Sequence, residues 1–354
     1  MSFLVDKFKG TEPYVPGEQP ADIQTYIKLN TNESPFPPSP LCAETLKSFD
    51  PNALRLYPSP VNAELVKAVA DYHDVAPENV FAGNGSDEIL ALCFLAFCDD
   101  KKGIVFPDLT YGFYQIYDRL ASTPLKTIPL KEDLTIDVND YINVKSSIVL
   151  ANPNAQTGLA LTAFDIEKIV KSNPDYPVII DEAYVDFGAE TVLPLVKKYD
   201  NLLVVRTASK SRSLAGERIA YAVGSKELIN DLLTVKDNFN SYNVDRLASA
   251  LLISSLKDET YFKTCTRTIS EQREELKLQL KALGFTVTDS KANFVLAFPP
   301  EKITAKEMYL KLKNRKILVR YLGYPRTENA VRITVGSAEQ NQILIENVKE
   351  ILEK

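Results

Sequence analysis

Four polar clusters each follow directly on a short apolar run, and they contain the residue types that could do chemistry. They are Asp181; Asn152 and Asn154; Thr207, Ser209 and Lys210; and the glycine turn at residues 83–86. In an open α/β sheet, the loops after the carboxyl ends of the strands gather in one crevice and bind ligands there. We therefore expect one edge of a sheet to bring together an acid, a lysine, a glycine turn and several hydroxyls.

The glycine turn opens a helical pattern and allows two interpretations. Ser86 can cap the helix, with Asp87 and Glu88 in its first turn. Alternatively, the free N–H groups and the dipole of the helix start can bind an anion such as a phosphate. The turn does not have the G-x-G-x-x-G spacing of dinucleotide-binding proteins, so the sequence leaves both interpretations open.

Lys210 differs from a typical solvated surface lysine, because it follows an apolar strand and has Arg218 and several hydroxyls close by in the sequence. A lysine next to other cations is more readily deprotonated, as an amine that forms a Schiff base must be. The acid at Asp181 could instead hold Mg²⁺, as in an ATPase. That alternative needs a glycine-rich loop that ends in Gly-Lys-Ser or Gly-Lys-Thr, and the sequence contains no Gly-Lys pair.

Histidine and cysteine usage excludes several kinds of site. A single histidine, His73, excludes a histidine-rich zinc site and disfavours a Ser-His-Asp triad. His73 stands late in a helical pattern next to charges, which predicts a surface residue. The cysteines lack CxxC spacing, so we expect core thiols and no bound metal; they are Cys42, Cys93, Cys98 and Cys265. The proton carrier of such an enzyme would be Lys, Tyr, Asp or a cofactor.

Length and composition predict an ordinary globular protein of about two domains. The 354 residues are 45% hydrophobic and 25% charged, and the net charge of −6 gives no basic field that would attract nucleic acid. No apolar run approaches the ~18 residues that span a bilayer, and the chain begins with charges where a signal peptide would be apolar. We expect a cytoplasmic protein with small-molecule substrates and no nucleic-acid or membrane partner.

Apolar runs alternate with helical patterns from about residue 60 to residue 225. Strands are predicted at 80–82, 104–106, 147–150, 178–180, 202–205 and 219–223, and helices at 63–72, 87–97 and 163–171. Because the runs show little alternation, the strands should be buried on both faces, as in a mostly parallel sheet flanked by helices. The predicted fold class is therefore α/β.

The two ends of the chain differ from this central pattern. The beginning is rich in proline and should form an extended arm, whose interspersed aromatic residues favour packing over a disordered tail. After a long helical stretch at 226–283, strands at 293–298, 317–321 and 331–335 and helices at 305–314 and 339–353 predict an α+β unit. We accordingly predict an arm at 1–40, a large domain at 41–245 and a small domain at 246–354.

Taken together, the motifs resemble those of the fold-type I pyridoxal-phosphate (PLP) aminotransferases, and the histidinol-phosphate aminotransferase family most closely. The matching segments are Pro-Tyr-Val-Pro-Gly (13–17), Leu-Asn-Thr-Asn-Glu-Ser-Pro (29–35), Leu-Tyr-Pro-Ser-Pro (56–60), Gly-Asn-Gly-Ser-Asp-Glu (83–88), Thr-Tyr-Gly-Phe-Tyr (110–114), Asn-Pro-Asn-Ala-Gln-Thr-Gly (152–158), Asp-Glu-Ala-Tyr (181–184), Ser-Lys-Ser-Arg-Ser-Leu-Ala-Gly-Glu-Arg (209–218) and Val-Arg-Ile-Thr-Val-Gly (331–336). They run almost end to end in the order of the family, which makes the resemblance specific. It implies a large domain with a mostly parallel sheet, a smaller α+β domain and PLP as the cofactor.

The resemblance implies that the residues named below bind the cofactor or take part in its chemistry. Lys210 would carry PLP as a Schiff base and move the proton between substrate and cofactor. Asp181 would pair with the protonated pyridine nitrogen, Tyr184 would donate to the phenolic oxygen, and Tyr111 would stack on the ring. The remaining cofactor contacts, most of them to the phosphate, would come from Gly85, Ser86, Asp87, Asn154, Thr207, Ser209 and Arg218.

For substrate and assembly, the resemblance implies contacts from both ends of the chain. Arg332 would bind the acidic end of the substrate, with Arg320, Tyr14 and Asn32 as further substrate-side candidates. Tyr57 would reach the cofactor phosphate of a neighbouring subunit, which implies a homodimer with shared active sites. The implied reaction transfers an amino group between an amine such as histidinol phosphate and 2-oxoglutarate.

The sequence departs from the family pattern in the loop that is usually Asn-Asn-Pro-Thr-Gly. Ala155 replaces the asparagine that binds the phenolic oxygen, so either Tyr184 holds that oxygen alone or Asn154 substitutes. Gln156 replaces the proline, and a cis peptide bond there would cost about 2.5–4 kcal/mol. These changes weaken the case for histidinol phosphate as the substrate more than the case for PLP.

The lysine loop also differs from the family. Arg212 is an extra cation, which could be an additional anion contact or a surface charge, and Glu217 could temper the charge of the neighbouring Arg218. Other substrates remain open, namely aromatic or other amino acids. Decarboxylation of a phosphorylated amino acid, as in the related threonine-phosphate decarboxylases, is a second alternative, and a regulatory PLP-binding protein is a third.

Four of the predicted site residues also have a purely structural interpretation. Asp181 and Arg332 could each form an ordinary ion pair within the fold. Tyr184 and Tyr111 could be core tyrosines whose hydroxyls are satisfied by neighbouring groups. The number and order of the motifs favour the functional interpretation in each case.

Overall fold

A seven-stranded sheet lies at the centre of the chain in the computed structural model, which describes residues 3–9, 16–124 and 126–353. Within these residues the strands are β1 (Ile27–Lys28), β2 (Val80–Gly83), β3 (Ile104–Pro107), β4 (Lys126–Ile128), β5 (Ser147–Ala151), β6 (Val178–Asp181), β7 (Leu202–Thr207), β8 (Ala220–Gly224), β9 (Thr286–Val287), β10 (Phe294–Phe298), β11 (Ile317–Leu318), β12 (Arg320–Tyr321) and β13 (Val331–Thr334). The sheet has the order β2-β8-β7-β6-β5-β3-β4. Strand β8 is antiparallel to both of its neighbours, and the other pairs are parallel.

Helices cover both faces of this sheet. In the described part of the chain they are α1 (Pro40–Ser48), α2 (Ala63–His73), α3 (Gly85–Phe97), α4 (Phe113–Ala121), α5 (Ala163–Ser172), α6 (Lys226–Phe239), α7 (Arg246–Lys257), α8 (Glu259–Ala282), α9 (Ala305–Asn314) and α10 (Ala338–Glu353). On β6, Ile179 joins a core with α3, α4, α6 and α8, whereas Val178 and Ile180 join a second core with α2, α5 and α7. Burial on both faces explains why the strands appear in the sequence as continuous apolar runs.

The carboxyl ends of β5, β6 and β7 lie at the same edge of the sheet. Ala151 is in register with Asp181, and Asp181 is in register with Val205 on the next strand. The loops that follow these parallel strands therefore leave the sheet side by side, next to the start of α3 after β2. The topology brings the polar clusters of the sequence to this edge.

A smaller antiparallel sheet follows, in the order β12-β13-β10-β9, and its core includes residues of α8, α9 and α10. The strand predicted at 317–321 is divided in two, because β11 pairs with β1 of the N-terminal segment while β12 pairs with β13. The helical stretch predicted at 226–283 consists of α6, α7 and α8. Asp245 and Asp258 begin the second and third of these helices by accepting hydrogen bonds from their first N–H groups.

The N-terminal segment enters α1 at Pro40, and Ser39 caps this helix by accepting from the backbone N–H of Leu41. The domain boundaries at residues 40 and 245 stay predictions.

None of the helices in the described residues is long and apolar enough to cross a membrane. In the same residues, no group of three or more His, Cys, Asp or Glu side chains could hold a metal ion.

Candidate active site

A cavity of about 240 Å³ opens at the carboxyl edge of the sheet and collects most of the predicted site residues. Its lining includes Ser86, Asp87, Tyr111, Asp181, Tyr184, Thr207, Ser209, Lys210 and Arg218. A second cavity of about 330 Å³ shares several of these residues, and it adds Asn32, Gln156, Arg320 and Arg332. The cofactor-side and substrate-side candidates thus line two adjoining spaces.

Asp181 is buried at the end of β6. The Tyr114 hydroxyl donates to its Oδ2 atom at 2.9 Å, and the backbone N–H of Ala183 donates to its Oδ1 atom at 3.2 Å. Burial raises the pKa of Asp181 to about 6, although both hydrogen bonds act in the opposite direction. No cation of the described chain is among the main causes of this shift in pKa. A cationic ligand in the cavity would therefore supply this buried carboxylate with a counter-charge.

The Lys210 amine reaches the cavity from the loop after β7. Its Nζ atom donates to the carbonyl oxygen of Thr31 at 3.2 Å and lies 5.8 Å from the centre of the Tyr184 ring. A neutral carbonyl holds an ammonium less tightly than a carboxylate does. The amine is therefore positioned by the fold and remains available for covalent chemistry.

Arg218 lies at a corner of the cavity next to the start of α3. Its Nη2 atom pairs with Asp87 Oδ2 at 3.1 Å, and its Nη1 atom donates to Ser209 Oγ at 3.4 Å, which also accepts from Thr207 Oγ1 at 3.0 Å. Gly85 has a φ of +78°, and a Cβ atom there would lie 2.7 Å from Arg218 Nη2. Glycine therefore lets the guanidinium lie against the start of α3. A guanidinium, two hydroxyls and a helix N-terminus are typical of a phosphate site.

The start of α3 differs from the prediction that Ser86 caps the helix. Asn84 occupies the N-cap position, its side chain makes no cap hydrogen bond, and the helix begins at Gly85. The Glu88 carboxylate instead accepts from the backbone N–H of Asn84 at 2.7 Å. Because Ser86 lies in the first turn and lines the cavity, the geometry favours the anion-binding interpretation of the glycine turn.

Asp87 holds the aromatic wall of the cavity in place. Its Oδ1 atom accepts from the hydroxyls of Tyr111 at 2.6 Å and Tyr117 at 3.0 Å. Burial and the nearby Asp87 raise the pKa of both tyrosines, so both hydroxyls act as neutral donors. The Tyr111 ring also meets the Tyr114 ring edge to face, with 5.6 Å between their centres. Tyr111 is thus fixed by contacts at both its hydroxyl and its ring.

Tyr184 is connected to the smaller sheet through Asn32. The Asn32 Nδ2 atom donates to the Tyr184 hydroxyl at 3.1 Å, and Thr334 Oγ1 on β13 donates to Asn32 Oδ1 at 3.1 Å. Since the Tyr184 oxygen accepts from this amide, the hydroxyl hydrogen is left to point towards another acceptor. Asn32, predicted to lie on the substrate side, lines the second cavity and orients Tyr184 at the same time.

Arg332 on β13 lines the second cavity against the loop after β5. Its Nη1 atom donates to the Ala155 carbonyl oxygen at 2.9 Å and to Gln156 Oε1 at 3.3 Å. The centre of its guanidinium lies 5.2 Å from the centre of the Phe294 ring. These contacts with Ala155, Gln156 and Phe294 orient the guanidinium at the cavity.

Three other predicted residues have different surroundings. Arg320 lines the second cavity and donates to the carbonyl oxygen of Pro16 at 3.1 Å. Tyr14 lies outside the described residues. Tyr57 is 77% exposed, and its ring stacks on Tyr242 with 4.6 Å between ring centres. It does not belong to the lining of either cavity described for this chain.

Asn154 is a predicted cofactor contact whose side chain instead makes hydrogen bonds to backbone groups. Its Oδ1 atom accepts from the backbone N–H groups of Gln156 and Thr157, at 2.9 and 3.1 Å, and its Nδ2 atom donates to the Leu109 carbonyl at 2.9 Å. Because these bonds shape the loop, they favour the alternative in which Tyr184 alone holds the phenolic oxygen. The cis peptide bond of this loop precedes Pro153, not Gln156.

Arg212 is neither an anion contact in the cavity nor a surface charge. It is buried, donates to the Ser255 carbonyl oxygen at 2.7 Å, and lies between two aromatic rings. The ring centres of Phe262 and Tyr72 are 4.1 and 5.1 Å from its guanidinium carbon. This extra arginine of the lysine loop is therefore a buried cation stabilised by cation–π contacts and by Glu259, whose Oε2 atom lies 4.0 Å from its Nη2 atom.

Two further sequence interpretations are corrected by side-chain contacts. The ion-pair partner of Arg218 in the described residues is Asp87 rather than the adjacent Glu217. His73 ends α2, as predicted, but its side chain is half-buried rather than exposed, and its Nε2 atom lies 2.8 Å from the Tyr221 hydroxyl. Burial lowers the pKa of His73 to about 3, which keeps the imidazole neutral and structural.

An ionic network beneath the cavity connects the loops that carry the acid and the lysine. Buried Glu182 accepts from Arg206 Nε at 2.9 Å, and Arg206 Nη1 donates to Asp186 Oδ1 at 2.7 Å. The Ser211 hydroxyl, next to the lysine, donates to Asp186 Oδ2 at 2.6 Å. These bonds fix the loop after β6 relative to the loop after β7.

Sequence reasoning missed three residues that contact the site. Tyr114 and Tyr117 are three residues apart on α4, so they share a face, and this spacing could have indicated that both hydroxyls reach the sheet edge. Thr31 contacts Lys210 through its backbone carbonyl. A backbone contact has no signature in the residue type.

The doubly wound sheet, the lysine after β7 and the acid after β6 define the class of protein. The family model "Aminotransferase class I and II" matches residues 24–348. The chain belongs to this family and is an aminotransferase. The α/β fold class and the family resemblance predicted from the sequence are both confirmed.

Several similar proteins are histidinol-phosphate aminotransferases. The histidinol-phosphate aminotransferase of Brachyspira hyodysenteriae is 49% identical over 352 residues, which are 99% of either chain. That of Clostridium botulinum strain 657 is 46% identical over 98% of this chain and 97% of its own. The crystal structure of histidinol-phosphate aminotransferase from Sinorhizobium meliloti in complex with PLP matches with a TM-score of 0.89 and 21% identity, over 100% of this chain and 98% of that one. This last likeness shows the fold.

Proposed function

We propose that this aminotransferase uses PLP to transfer the amino group of histidinol phosphate to 2-oxoglutarate. The observation that carries the proposal is the meeting of Lys210, Asp181 and Arg218 at one cavity. PLP is a phosphorylated pyridine aldehyde. Lys210 supplies an amine for its attachment, Asp181 a counter-charge for its ring nitrogen, and Arg218 a phosphate site. The name of the two relatives, histidinol-phosphate aminotransferase, supports the choice of amino donor.

The residues of the cavity fit PLP in charge and in shape. No cation of the described chain is among the main influences on the buried Asp181 carboxylate, which suits a protonated pyridine nitrogen. Gly85 leaves the space that Arg218 needs beside the helix start, where the phosphate would bind. When bound, PLP supplies an electron sink that stabilises negative charge on the substrate carbon that carries the amine.

The chain itself supplies binding, orientation and proton transfer. Lys210 would attach the cofactor and would take and return the proton at the substrate carbon. Asp181 would keep the ring nitrogen protonated, and Tyr111 would stack on the ring. Tyr184 would donate to the phenolic oxygen, because its own oxygen already accepts from Asn32.

The second cavity fits a small anionic substrate. Arg332 and Arg320 both line it, and Tyr324 adds a further hydroxyl. Histidinol phosphate carries a phosphate and 2-oxoglutarate carries two carboxylates, so each would present an acidic group to these arginines. We assign Arg332 to the acidic end of the substrate, since it lines this cavity and Ala155 and Phe294 hold its guanidinium in place.

Steady-state amino transfer tests the choice of substrate. Histidinol phosphate should give the highest kcat/KM in a panel that includes aromatic and aliphatic amino acids, each paired with 2-oxoglutarate. A clear preference for an aromatic amino acid would contradict the named donor and leave the enzyme class intact. Release of carbon dioxide from a phosphorylated amino acid would contradict the transfer reaction itself.

The affinity for the cofactor should depend on pH through Asp181. Its pKa is raised to about 6, so the carboxylate is present above this pH and is lost as the pH falls through it. The pairing with the ring cation is therefore complete above about pH 7 and should weaken up to about tenfold for each pH unit below 6. Cofactor titration of the empty protein, followed by tyrosine fluorescence, measures the dissociation constant at each pH.

Tyr114→Phe should move this pH dependence towards higher pH. The Tyr114 hydroxyl stabilises the Asp181 carboxylate, so its removal raises the pKa further and should weaken cofactor binding several-fold at pH 6. Tyr141→Phe is the matched control, because Tyr141 is fully buried and its hydroxyl has no hydrogen-bond partner in the described residues. Identical profiles for the two variants would contradict the proposed role of Tyr114.

We also propose a homodimer in which Tyr57 completes the site of the partner. The support is geometric, since Tyr57 is 77% exposed and stands apart from the cavities of its own chain. Its position is fixed on this surface by stacking on Tyr242. An exposed aromatic ring held in one orientation is suited to contact a second subunit.

Mixing two inactive variants tests this shared site. In equal mixtures of Tyr57→Ala and Lys210→Ala subunits, half of the random dimers are hybrids, and one of their two sites is intact. The mixture should therefore recover about a quarter of the wild-type activity after subunit exchange. Activity equal to the mean of the two separate variants would contradict the shared site.

We place the protein in the cytoplasm. All four cysteines lie in the described residues as buried free thiols, which is typical of a protein from a reducing compartment. Fractionation of the source cells, followed by immunodetection, tests this location. Recovery of the protein outside the cytoplasmic fraction would contradict it.

A further inference from the structure

The loop after β5 carries a glutamine, Gln156, at the position where the resembling family has a proline. Gln156 is 6% exposed, yet it lines the substrate-side cavity together with Arg332. A buried, polar side chain in this place needs hydrogen-bond partners on both sides of its amide. The partners that it has connect two walls of the site.

The hydrogen bonds of Gln156 determine which way its amide faces. Its Nε2 atom donates to the carbonyl oxygen of Thr110 at 3.1 Å, beside the aromatic wall formed by Tyr111. A carbonyl oxygen can only accept, so the amino group must be on that side. The Oε1 atom therefore faces Arg332 Nη1, at 3.3 Å, next to the Ala155 carbonyl that accepts from the same nitrogen at 2.9 Å.

These contacts hold the arginine at three points. The two oxygens of the loop accept from one end of the guanidinium, and the Phe294 ring lies 5.2 Å from its centre. A free arginine side chain has about 2 kcal/mol of rotamer entropy, part of which is lost when it binds an anion. An arginine that is already oriented binds its anion more tightly, because less of this entropy remains to be lost.

We propose that Gln156 is a positioning residue that orients Arg332 for the acidic group of the substrate. The proposal rests on the proposed function, since it assigns Arg332 to substrate binding. The neutral amide of Gln156 orients the guanidinium and leaves its positive charge intact. A carboxylate at this position would pair with the arginine and compete with the substrate.

Two substitutions in the cofactor-loaded protein test the proposal. In Gln156→Ala the KM for 2-oxoglutarate should rise about 3- to 10-fold, because a hydrogen bond to a charged group is lost. In Gln156→Glu it should rise more than about 10-fold, because the new carboxylate pairs with Arg332. In both variants kcat should stay within about twofold, since the reacting atoms are not touched. Gln342→Ala, an exposed residue of α10, is the control.

Calorimetric binding of succinate, a dicarboxylate that cannot accept an amino group, gives a second measurement. Its dissociation constant should rise in the same order as KM, from wild type to Gln156→Ala to Gln156→Glu. Unchanged KM and dissociation constants in both variants would overturn the proposal. A fall of kcat together with a lower melting temperature would also overturn it, because that result indicates a structural role. Wild-type protein that binds succinate but transfers no amino group would contradict the proposed function alone.

Discussion

Replacing Lys210 by alanine should reduce amino transfer by at least about 10⁴-fold. A general base alone contributes about 10²- to 10⁴-fold, and Lys210 also attaches the cofactor. The measurement is the rate of a single turnover with excess histidinol phosphate, at a cofactor content determined by absorbance. The cofactor should still bind, since Asp181 and Arg218 are unchanged.

Two lysine variants serve as controls for this result. Lys210→Arg keeps the positive charge without the amine that attaches the cofactor, and it should be as inactive as the alanine variant. Lys67→Ala removes an exposed lysine on α2 that pairs with Asp71, and it should keep the wild-type rate. An alanine variant of Lys210 that retains a tenth of the wild-type rate would contradict the assignment.

Replacing Asp181 by asparagine should reduce kcat by about 100- to 1,000-fold and weaken cofactor binding. Removing one partner of a buried ion pair costs about 3–5 kcal/mol, and about 1.4 kcal/mol corresponds to a factor of ten. The ring nitrogen would lose the charge that keeps it protonated, so the cofactor would withdraw electrons less strongly. Steady-state kinetics and cofactor titration measure the two effects separately.

Measurements on the cofactor-free protein should show that the loss of kcat in Asp181→Asn is not caused by unfolding. The pKa of Asp181 rises from 3.8 to about 6 on folding, so its carboxylate destabilises the empty protein by about 3 kcal/mol above pH 6, and this cost disappears below pH 3.8. Asparagine has no charge and can still accept from Tyr114. The melting temperature of the empty Asp181→Asn protein at pH 7 should therefore equal or exceed that of the wild type. A lower value would contradict this description of Asp181. Asp231→Asn, at an exposed position of α6, should change neither kcat nor the melting temperature.

The central sheet could be predicted from the sequence because most of its strands are buried on both faces. Continuous apolar runs mark β2, β3 and β5 to β8, and the predicted bounds differ from the observed ones by one or two residues. Strand β4 could not be predicted in this way, because it is an edge strand with exposed and half-buried residues. The division of residues 317–321 between two sheets depends on the partner strands, β1 and β13, which lie far away in the sequence.

The composition of the cavity could also be predicted, whereas its internal contacts could not. A polar residue that directly follows a buried parallel strand must lie at the ligand-binding edge, which is why Asp181 and Lys210 could be placed there. The direction of each side chain depends on tertiary packing. Asn154 follows β5 in the same way, but its amide turns into the loop, and Arg212 lies against aromatic rings and the Glu259 carboxylate instead of facing the cavity.

The most direct test of the proposed chemistry is the visible absorption spectrum of the purified protein loaded with PLP. We expect a yellow band from the cofactor attached to Lys210, which disappears when histidinol phosphate is added without an acceptor. Addition of 2-oxoglutarate should restore the band, because the stored amino group then passes to the acceptor. A protein that stays colourless with PLP, or whose band is unchanged by histidinol phosphate and by every amino acid tried, would contradict the assignment of this cavity as the site of amino transfer.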